Sequence, residues 1–480
     1  MCYNIEKPIR PLRTPLLFNS YEFIFAFLPI TFFIYFLLLQ KRLIIGAKGF
    51  LVFASLFFYS WWNIAYLPLI LSSLLFNYLI GSALNTPNRV NKKGVLSFGI
   101  FANLALLGYF KYADFFIKNF NHLTNKELPL LHLALPLAIS FFTFQQIAYL
   151  VDSYRGETKE YDFLNYALFV TFFPQLIAGP IVHHAEMMPQ FASKWNLVKK
   201  YKNIALGIFI FSIGLFKKVV IADTFSVWAT NGFDKAETLN LIEGWATSLS
   251  YTFQLYFDFS GYTDMALGIA LLFNIKLPIN FNSPYKALSI QDFWRRWHIT
   301  LSNFLRDYIY IPLGGSRKGE FRTYTNLIIT FLLGGLWHGA GWTFVFWGFL
   351  HGVALVVHRL WRKLNIKINT LLAWFVTFNF INIAWVFFRA KEWDDALKVL
   401  KAMFFGELVT NDIWLSNIYA DKYLMLQLAL AGALVLLAKN SMELRKEFAT
   451  NNYTLTFIVL LLVSSFLNLS GVHEFLYFNF

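Results

Sequence analysis

The chain has 480 residues, 57% of them hydrophobic, 20% aromatic and only 14% charged, with a mean hydropathy of +0.51. A soluble globular protein carries about a quarter of its residues as charges, so this composition excludes that class and predicts an all-α polytopic membrane protein. The surplus of 41 Lys+Arg over 27 Asp+Glu sits in short loops between apolar segments, where it reads as topogenic charge and not as a nucleic-acid footprint. The single cysteine, Cys2, excludes an intramolecular disulfide, a cysteine-rich metal site and a CxxC redox pair.

No polar block long enough for a separate soluble domain interrupts the apolar segments. Residues 1–480 are therefore expected to form one integral-membrane domain of about 10–13 transmembrane or re-entrant helices. Residues 1–20 open with Pro8, Pro11 and Pro15 among Lys7, Arg10 and Arg13, a pattern for an irregular or interfacial segment. The first apolar segment, Phe23 to Leu39, has no small-residue cleavage site and runs into Lys41 and Arg42, which makes it a retained span. Further spans are expected near Phe50 to Trp61, Ala65 to Ile80, Leu96 to Phe110 and Leu131 to Val151. The loops at 41–48 and 83–95 are basic and the turn at Trp62 and Asn63 is not. By the positive-inside rule those loops are cytoplasmic and the N-terminus is outside, although the three basic residues of residues 1–20 pull the other way.

Basic residues flank both sides of the apolar stretch Phe163 to Gly179, which contains FPQLIAGP with Pro174, Gly179 and Pro180. A re-entrant loop explains this better than a full span. A span follows at Ala205 to Phe225, then an acidic-leaning loop around Asp234 and Glu237, then the apolar stretch Trp245 to Leu277. The long basic region after it, from Lys286 to Arg322, reads as cytoplasmic or dipping in from that side.

The run from Asn326 to Trp361 has no Asp, Glu, Lys or Arg before Arg359. It is longer than one crossing of a ~30 Å hydrocarbon core, so it is expected to break at Gly334, Gly335, Gly339 and Gly341. Broken backbone at membrane depth persists only where protein or a water-filled cavity surrounds it. His338 lies at that break. A helix entering at about Tyr324 reaches it after roughly 21 Å, which puts His338 in the outer half of the bilayer at the tip of a hairpin spanning 332–352. Spans near Leu371 to Phe388, Leu424 to Leu437 and Thr454 to Leu469 complete the chain.

Three constellations carry chemistry. An imidazole can take a proton from a hydroxyl as that oxygen attacks a carbonyl, and an intramembrane histidine is a functional candidate; the alternative for His338 is a structural bond at the glycine break. His351 and His358 follow on the return helix, but the spacing of the three resembles no zinc site, so no metal is expected and His351 reads as a packing residue. The second constellation, residues 291–315 (QDFWRRWHITLSNFLRDYIYIPLGG), is too charged to span and reads as an interfacial or re-entrant motif centred on His298. Arg295 and Arg296 could clamp the phosphates of a cytosolic donor nucleotide, with Trp294 and Trp297 as stacking faces, or could simply anchor the segment at the interface. His298 could be a second base, a gate or a structural donor. In the third, YFDFSGYTDMALG at 256–268, Ser260 and Gly261 suit a turn, Asp264 suits the cap of a helix beginning near Met265, and Asp258 and Asp264 would pair with arginines of the basic region that follows. His183 and His184, beside Glu186, read as solvated loop residues.

These motifs resemble the membrane-bound O-acyltransferases, in particular the branch of alginate O-acetyltransferases and teichoic-acid D-alanyl transfer proteins. The resemblance runs nearly end to end: FNSYEFIFAFLP at 18–29, LPLAISFFTFQ at 135–145, FFPQLIAGPI at 172–181, the 256–268 and 292–315 motifs, GGLWHGAGWTFVFWGFLHG at 334–352 and WVFFRA at 385–390. The C-terminal EFLYFNF is similar to that branch's aromatic ending. Asn303 departs from the pattern, standing where the branch usually has a bulky aromatic. The resemblance implies a ring of helices around a central tunnel, with His338 as catalytic base and His298 as the second characteristic position. It implies an acyl thioester donor such as acetyl-CoA on the cytosolic side and an acceptor outside, with Trp337 and neighbouring groups, Asp258 and Asp264 among them, shaping the site. It also implies a partner that esterifies the exported glycan, either an SGNH-hydrolase-like transferase or a polysaccharide export complex, at the bacterial cytoplasmic membrane. On residues alone a transporter is the rival reading, because broken helices also build transport sites, but no repeat halves are present. A non-catalytic scaffold of an export complex is a third.

Overall fold

In a computed structural model, residues 16–86, 91–158, 162–177, 179–409, 415–469 and 475–476 are described, and among them all regular structure is helical. The expected irregular N-terminal segment falls largely on residues 1–15, and the C-terminal EFLYFNF largely on 470–474 and 477–480, which lie outside the described residues.

Among the described residues, seven helices are long and apolar enough to cross a membrane: α1 (Phe23–Gln40), α2 (Ile44–Trp62), α3 (Tyr66–Asn85), α4 (Lys92–Thr124), then Tyr201–Lys235, Trp342–Lys363 and Thr370–Arg389. The chain is a multi-pass membrane protein. The span expected at Leu131 to Val151 is shorter than the apolar run, because Pro136 and the left-handed Ala138 (φ 59°) delay the helix to α5 (Ile139–Arg155). Residues 131 and 132 are instead held by Asp114, whose carboxylate accepts their backbone N–H groups at 2.7 and 3.0 Å. The stretch expected to re-enter folds as α6 (Phe163–Thr171), buried from Tyr166 onward, and the single turn α7 (Phe173–Leu176), buried throughout; both are too short to cross. After α8 (His184–Ala192) comes α9 (Tyr201–Lys235), which contains a π turn at Lys217–Ala222.

The centre of the protein is α10 (Leu241–Leu272), 32 residues started by a capping box between Asn240 and Glu243 and buried along nearly its whole length. The turn expected at Ser260 and Gly261 does not form: the helix runs straight through, and Asp264 caps nothing. Gly261 is there for contact. A Cβ on it would lie 2.8 Å from Gly214 O of α9, and one on Gly268 would lie 2.6 Å from Gly207 O. The partners of the aspartates are also different from those expected. The π turn in α9 presents two adjacent lysines, so that Lys217 Nζ lies 2.7 Å from Asp264 Oδ2 and Lys218 Nζ lies 2.7 Å from both Asp258 Oδ1 and Asp223 Oδ1. A lysine arriving from a packed neighbouring helix reaches these carboxylates at their own depth, which the arginines of the 286–322 region do not.

The 291–315 motif forms α11 (Ile290–Trp294) and α12 (Ile299–Leu305), each with one side buried in the protein, and a more exposed π turn at Arg306–Tyr310. Trp297, expected as a stacking face, is buried among Tyr256, Phe281, Phe293 and Trp385. The hairpin that follows comprises α13 (Glu320–His338) and α14 (Trp342–Lys363), joined by three residues. Only Gly339 to Gly341 break the helix; Gly334 and Gly335 remain inside α13. Their absence of side chains serves packing: a Cβ on Gly335 would lie 2.3 Å from Phe344 O, and one on Gly348 would lie 2.2 Å from Phe331 O. The feet of the hairpin are joined by an ion pair between Glu320 and Lys363. The chain ends through α15 (Thr370–Arg389), the amphipathic α16 (Trp393–Phe405), which the apolar pattern did not reveal, α17 (Leu424–Leu437), α18 (Ser441–Lys446) and α19 (Asn452–Leu467).

Replacing Gly335 with alanine should destabilise the protein by about 1–3 kcal/mol, because backbone cannot yield as a side chain can. Gly341→Ala should be silent, since its Cβ would meet nothing nearer than 3.6 Å and its backbone is extended. Thermal melting of the two purified variants in one detergent checks the contrast.

Candidate active site

The C-terminal end of a helix leaves four carbonyl groups without helical partners. At the end of α13, inside the protein, all four are taken. Leu336 O accepts the Tyr112 hydroxyl at 2.7 Å, Trp337 O and His338 O accept Lys111 Nζ at 2.6 and 3.1 Å, and Gly335 O accepts Gly339 N at 3.4 Å. Lys111 and Tyr112 come from a π turn at Gly108–Tyr112 within α4, and Lys111 also donates to Ser140 Oγ of α5 at 3.2 Å. His338, the last residue of α13, is thereby fixed at the tip of the hairpin, as expected, and is 3% exposed.

A second chain break faces it. His298 precedes α12 with left-handed backbone, φ 42° and ψ 53°, a conformation uncommon outside glycine, asparagine and aspartate. The surrounding bonds impose it: Ile299 N donates to Asn280 O, Thr300 Oγ1 donates to Asn280 Oδ1 at 2.7 Å, and Thr300 Oγ1 in turn accepts Ile181 N at 3.0 Å. His298 is fully buried, its ring edge-on to Phe259 at 4.8 Å and 6.5 Å from the ring of His338. Trp337, Trp347 and Phe388 complete the wall around His338, at 4.9, 5.2 and 5.0 Å between ring centres. Sequence patterns brought out His338, His298 and Trp337; the structure brings the three together.

Two cavities lie at opposite ends of the hairpin. One, of ≈ 520 Å³, lies where the feet of α13 and α14 meet the 291–315 motif, and carries Arg295, Arg306, Arg359, Arg362 and His358 with Trp294 and Asn303. Trp294 forms its inner end, donating from Nε1 to His351 Nδ1 at 3.2 Å and standing 5.9 Å from the Trp347 ring that contacts His338. Of the two arginines expected to face a donor, only Arg295 lines the cavity; Arg296 turns away to Asp292, Nε to Oδ1 at 2.8 Å. Arg306, Arg359 and Arg362 were not singled out from sequence, because their convergence from the Arg306–Tyr310 turn and α14 leaves no local pattern. The other cavity, of ≈ 320 Å³, lies beside the Gly339–Ala340 turn and is lined by Tyr109, Lys111, Asp114, Leu135 and Phe344 among others.

Four expected positions stand apart from this cage. Asp258 and Asp264 are held in the α9–α10 ion pairs. Of the two histidines expected to be solvated, His183 is partly exposed and His184 is not. His184 is buried between Tyr149 and Phe169, and His183 Nδ1 lies 3.1 Å from the Tyr308 hydroxyl, which itself donates to Asp152 at 2.7 Å. Lys111 was missed. Its only sequence signal is a lysine at the end of the apolar run 96–110, where a charge reads as the limit of a span.

The model of the membrane-bound O-acyltransferase family matches residues 25–391. The chain is 52% identical to a peptidoglycan O-acetyltransferase of Helicobacter pylori, over 97% of this chain and 98% of that one. It is 40% identical to a probable alginate O-acetylase, AlgI, of Pseudomonas aeruginosa, over 84% of this chain and 78% of that one. It is 28% identical to a teichoic acid D-alanyltransferase of Bacillus subtilis, over 53% of this chain and 69% of that one.

If Asp264 is structural, its pair should behave as a buried ion pair does. Lys217→Met or Asp264→Asn alone should lower stability by about 3–5 kcal/mol by stranding the other charge, while the double variant should recover most of that loss. Denaturation midpoints of the three variants measure it.

Proposed function

Because the chain belongs to the membrane-bound O-acyltransferase family, and so is a membrane acyltransferase, we propose that it moves an acetyl group from a cytosolic thioester such as acetyl-CoA to the outer side for O-acetylation of an exported polysaccharide. Peptidoglycan is the acceptor polymer that the 52% identity across 97% of the chain favours. An alginate-type polymer has the support of the 40% relatives, and D-alanyl transfer that of 28% identity over half the chain.

The observation that carries this reading is the placement of His338 and His298 on two facing breaks between a basic cavity and a second cavity at the tip of the hairpin. The basic cavity lies at the end where Arg317, Lys318, Arg322, Arg362 and Lys363 cluster, the side that the positive-inside rule makes cytoplasmic. There Arg295, Arg306, Arg359 and Arg362 hold the phosphates of the donor, for which guanidinium forks are suited. The acyl end passes Trp294 toward the histidines.

His338 takes the proton of the acceptor hydroxyl as its oxygen attacks the thioester carbonyl. The new C–O bond forms, the C–S bond breaks, and the proton passes from the imidazolium to the leaving thiolate, so the transfer needs no other reactant. His298 faces the same carbonyl from the opposite break and orients it. The ring of Trp337, Trp347 and Phe388 keeps water from competing with the acceptor. The acylated product leaves by the cavity at Gly339 and Ala340 for an extracytoplasmic partner, an SGNH-hydrolase-like transferase or an export complex, which completes esterification of the glycan. The setting is the bacterial cytoplasmic membrane.

His338→Ala should lower acetyl transfer about 10²–10⁴-fold at matched membrane abundance; wild-type glycan acetylation in that variant would overturn the assignment. The paired change of Arg359 and Arg362 to glutamine should raise the donor KM and leave kcat nearly unchanged, which steady-state kinetics with varied acetyl-CoA separates.

A further inference from the structure

A buried ammonium beside a histidine site can bind substrate, balance a charge, or hold the backbone. Lys111 borders the cavity at the hairpin tip, so the first of these must be weighed. A lysine ammonium has three N–H groups, and all three here are spoken for by protein oxygens: Trp337 O at 2.6 Å, His338 O at 3.1 Å and Ser140 Oγ at 3.2 Å. No donor is left over for a ligand. Both carbonyls belong to the last turn of α13, where the partial negative charge of a helix C-terminus is concentrated and where a cation is favoured. The neighbouring Tyr112 takes the carbonyl before them. That one π turn supplies consecutive residues to three consecutive carbonyls follows from its wider winding, and such turns recur at functional sites.

We propose that Lys111 is a positioning residue for acyl transfer: a helix cap lent by another span, which holds the final turn of α13 and with it the imidazole of His338 and the indole of Trp337. The inference rests on the reading of His338 as the base. Without the cap, two carbonyls would be stranded inside the membrane domain, and the last turn would unwind or rotate to find donors. The imidazole would then leave its line to the acceptor hydroxyl, whereas the basic cavity, built from the other ends of α13 and α14, would keep its geometry. The consequence is a loss in kcat with donor binding retained.

The test compares Lys111→Met, Lys111→Arg, Tyr112→Phe and His338→Ala in purified full-length protein, with acetyl-CoA as donor and rates expressed per folded molecule. Lys111→Met, nearly the same shape without the donors, should lower kcat about 10–100-fold while the donor KM stays within about threefold. Lys111→Arg, which keeps charge and donors, should restore most of the rate. Tyr112→Phe, which frees one carbonyl, should lower kcat less than Lys111→Met, again at constant KM. Wild-type kcat in folded Lys111→Met overturns the proposal, as does a raised KM at constant kcat, which would make Lys111 a substrate contact. Should Lys111→Met fail to fold, Tyr112→Phe decides: an unchanged kcat there reduces the cap to a purely structural one. Full transfer by His338→Ala instead defeats the base assignment, and the two failures are thereby distinguished.

Discussion

The arrangement depends on one requirement: a helix that stops inside a membrane protein must have its terminal carbonyls satisfied by something other than water or its own next turn. The Glu320–His338 helix stops there, and Lys111 and Tyr112 of α4 meet the requirement with Ser140 of α5 as a third point. Three parts of the chain separated by as many as 227 positions are tied at one place. A histidine that composition alone would leave at the end of a frayed helix becomes a fixed group, and the short Gly339–Gly341 turn then sends the chain back along the same glycine-packed face.

The same reasoning explains why α10, the most buried helix, is not among the apolar spans. Surrounded by protein on every side, it has no need to be compatible with lipid, and it carries Asp258, Asp264, Thr252 and Gln254 at 7% exposure or less. Its aspartates are matched by lysines from the π turn of α9, and glycines at 207, 214, 261 and 268 bring the two backbones close enough for those short pairs. The lipid-facing helices are simple and apolar; chemical variety is gathered inside. Two π turns, at Gly108–Tyr112 and Lys217–Ala222, each deliver adjacent residues to one neighbour.

The two cavities differ in their chemistry. One is lined with guanidinium groups and the other carries a single satisfied ammonium and a carboxylate that holds a loop. Indole and phenyl rings set edge-on to His338 and His298 form a layer of low polarity around the two histidines.

Sequence by itself determined the class, most spans, the hairpin with His338 at its tip and the motif around His298, because hydropathy and charge placement are summed over many residues and glycine breaks are local. It also placed Arg295 correctly in a basic region. Tertiary structure decided the rest. Whether Gly261 made a turn or a contact, whether Asp264 capped a helix or paired with Lys217, whether Trp297 stacked a ligand or filled the core, and whether Arg295 or Arg296 faced the cavity all depended on which neighbour stood opposite. Lys111 is the clearest case: along the chain it is a charge at the end of an apolar run, and only the position of a helix terminus more than two hundred residues away gives two of its three N–H groups their partners, Ser140 taking the third. Local patterns carry local energies, whereas buried polar groups are settled by long-range pairing.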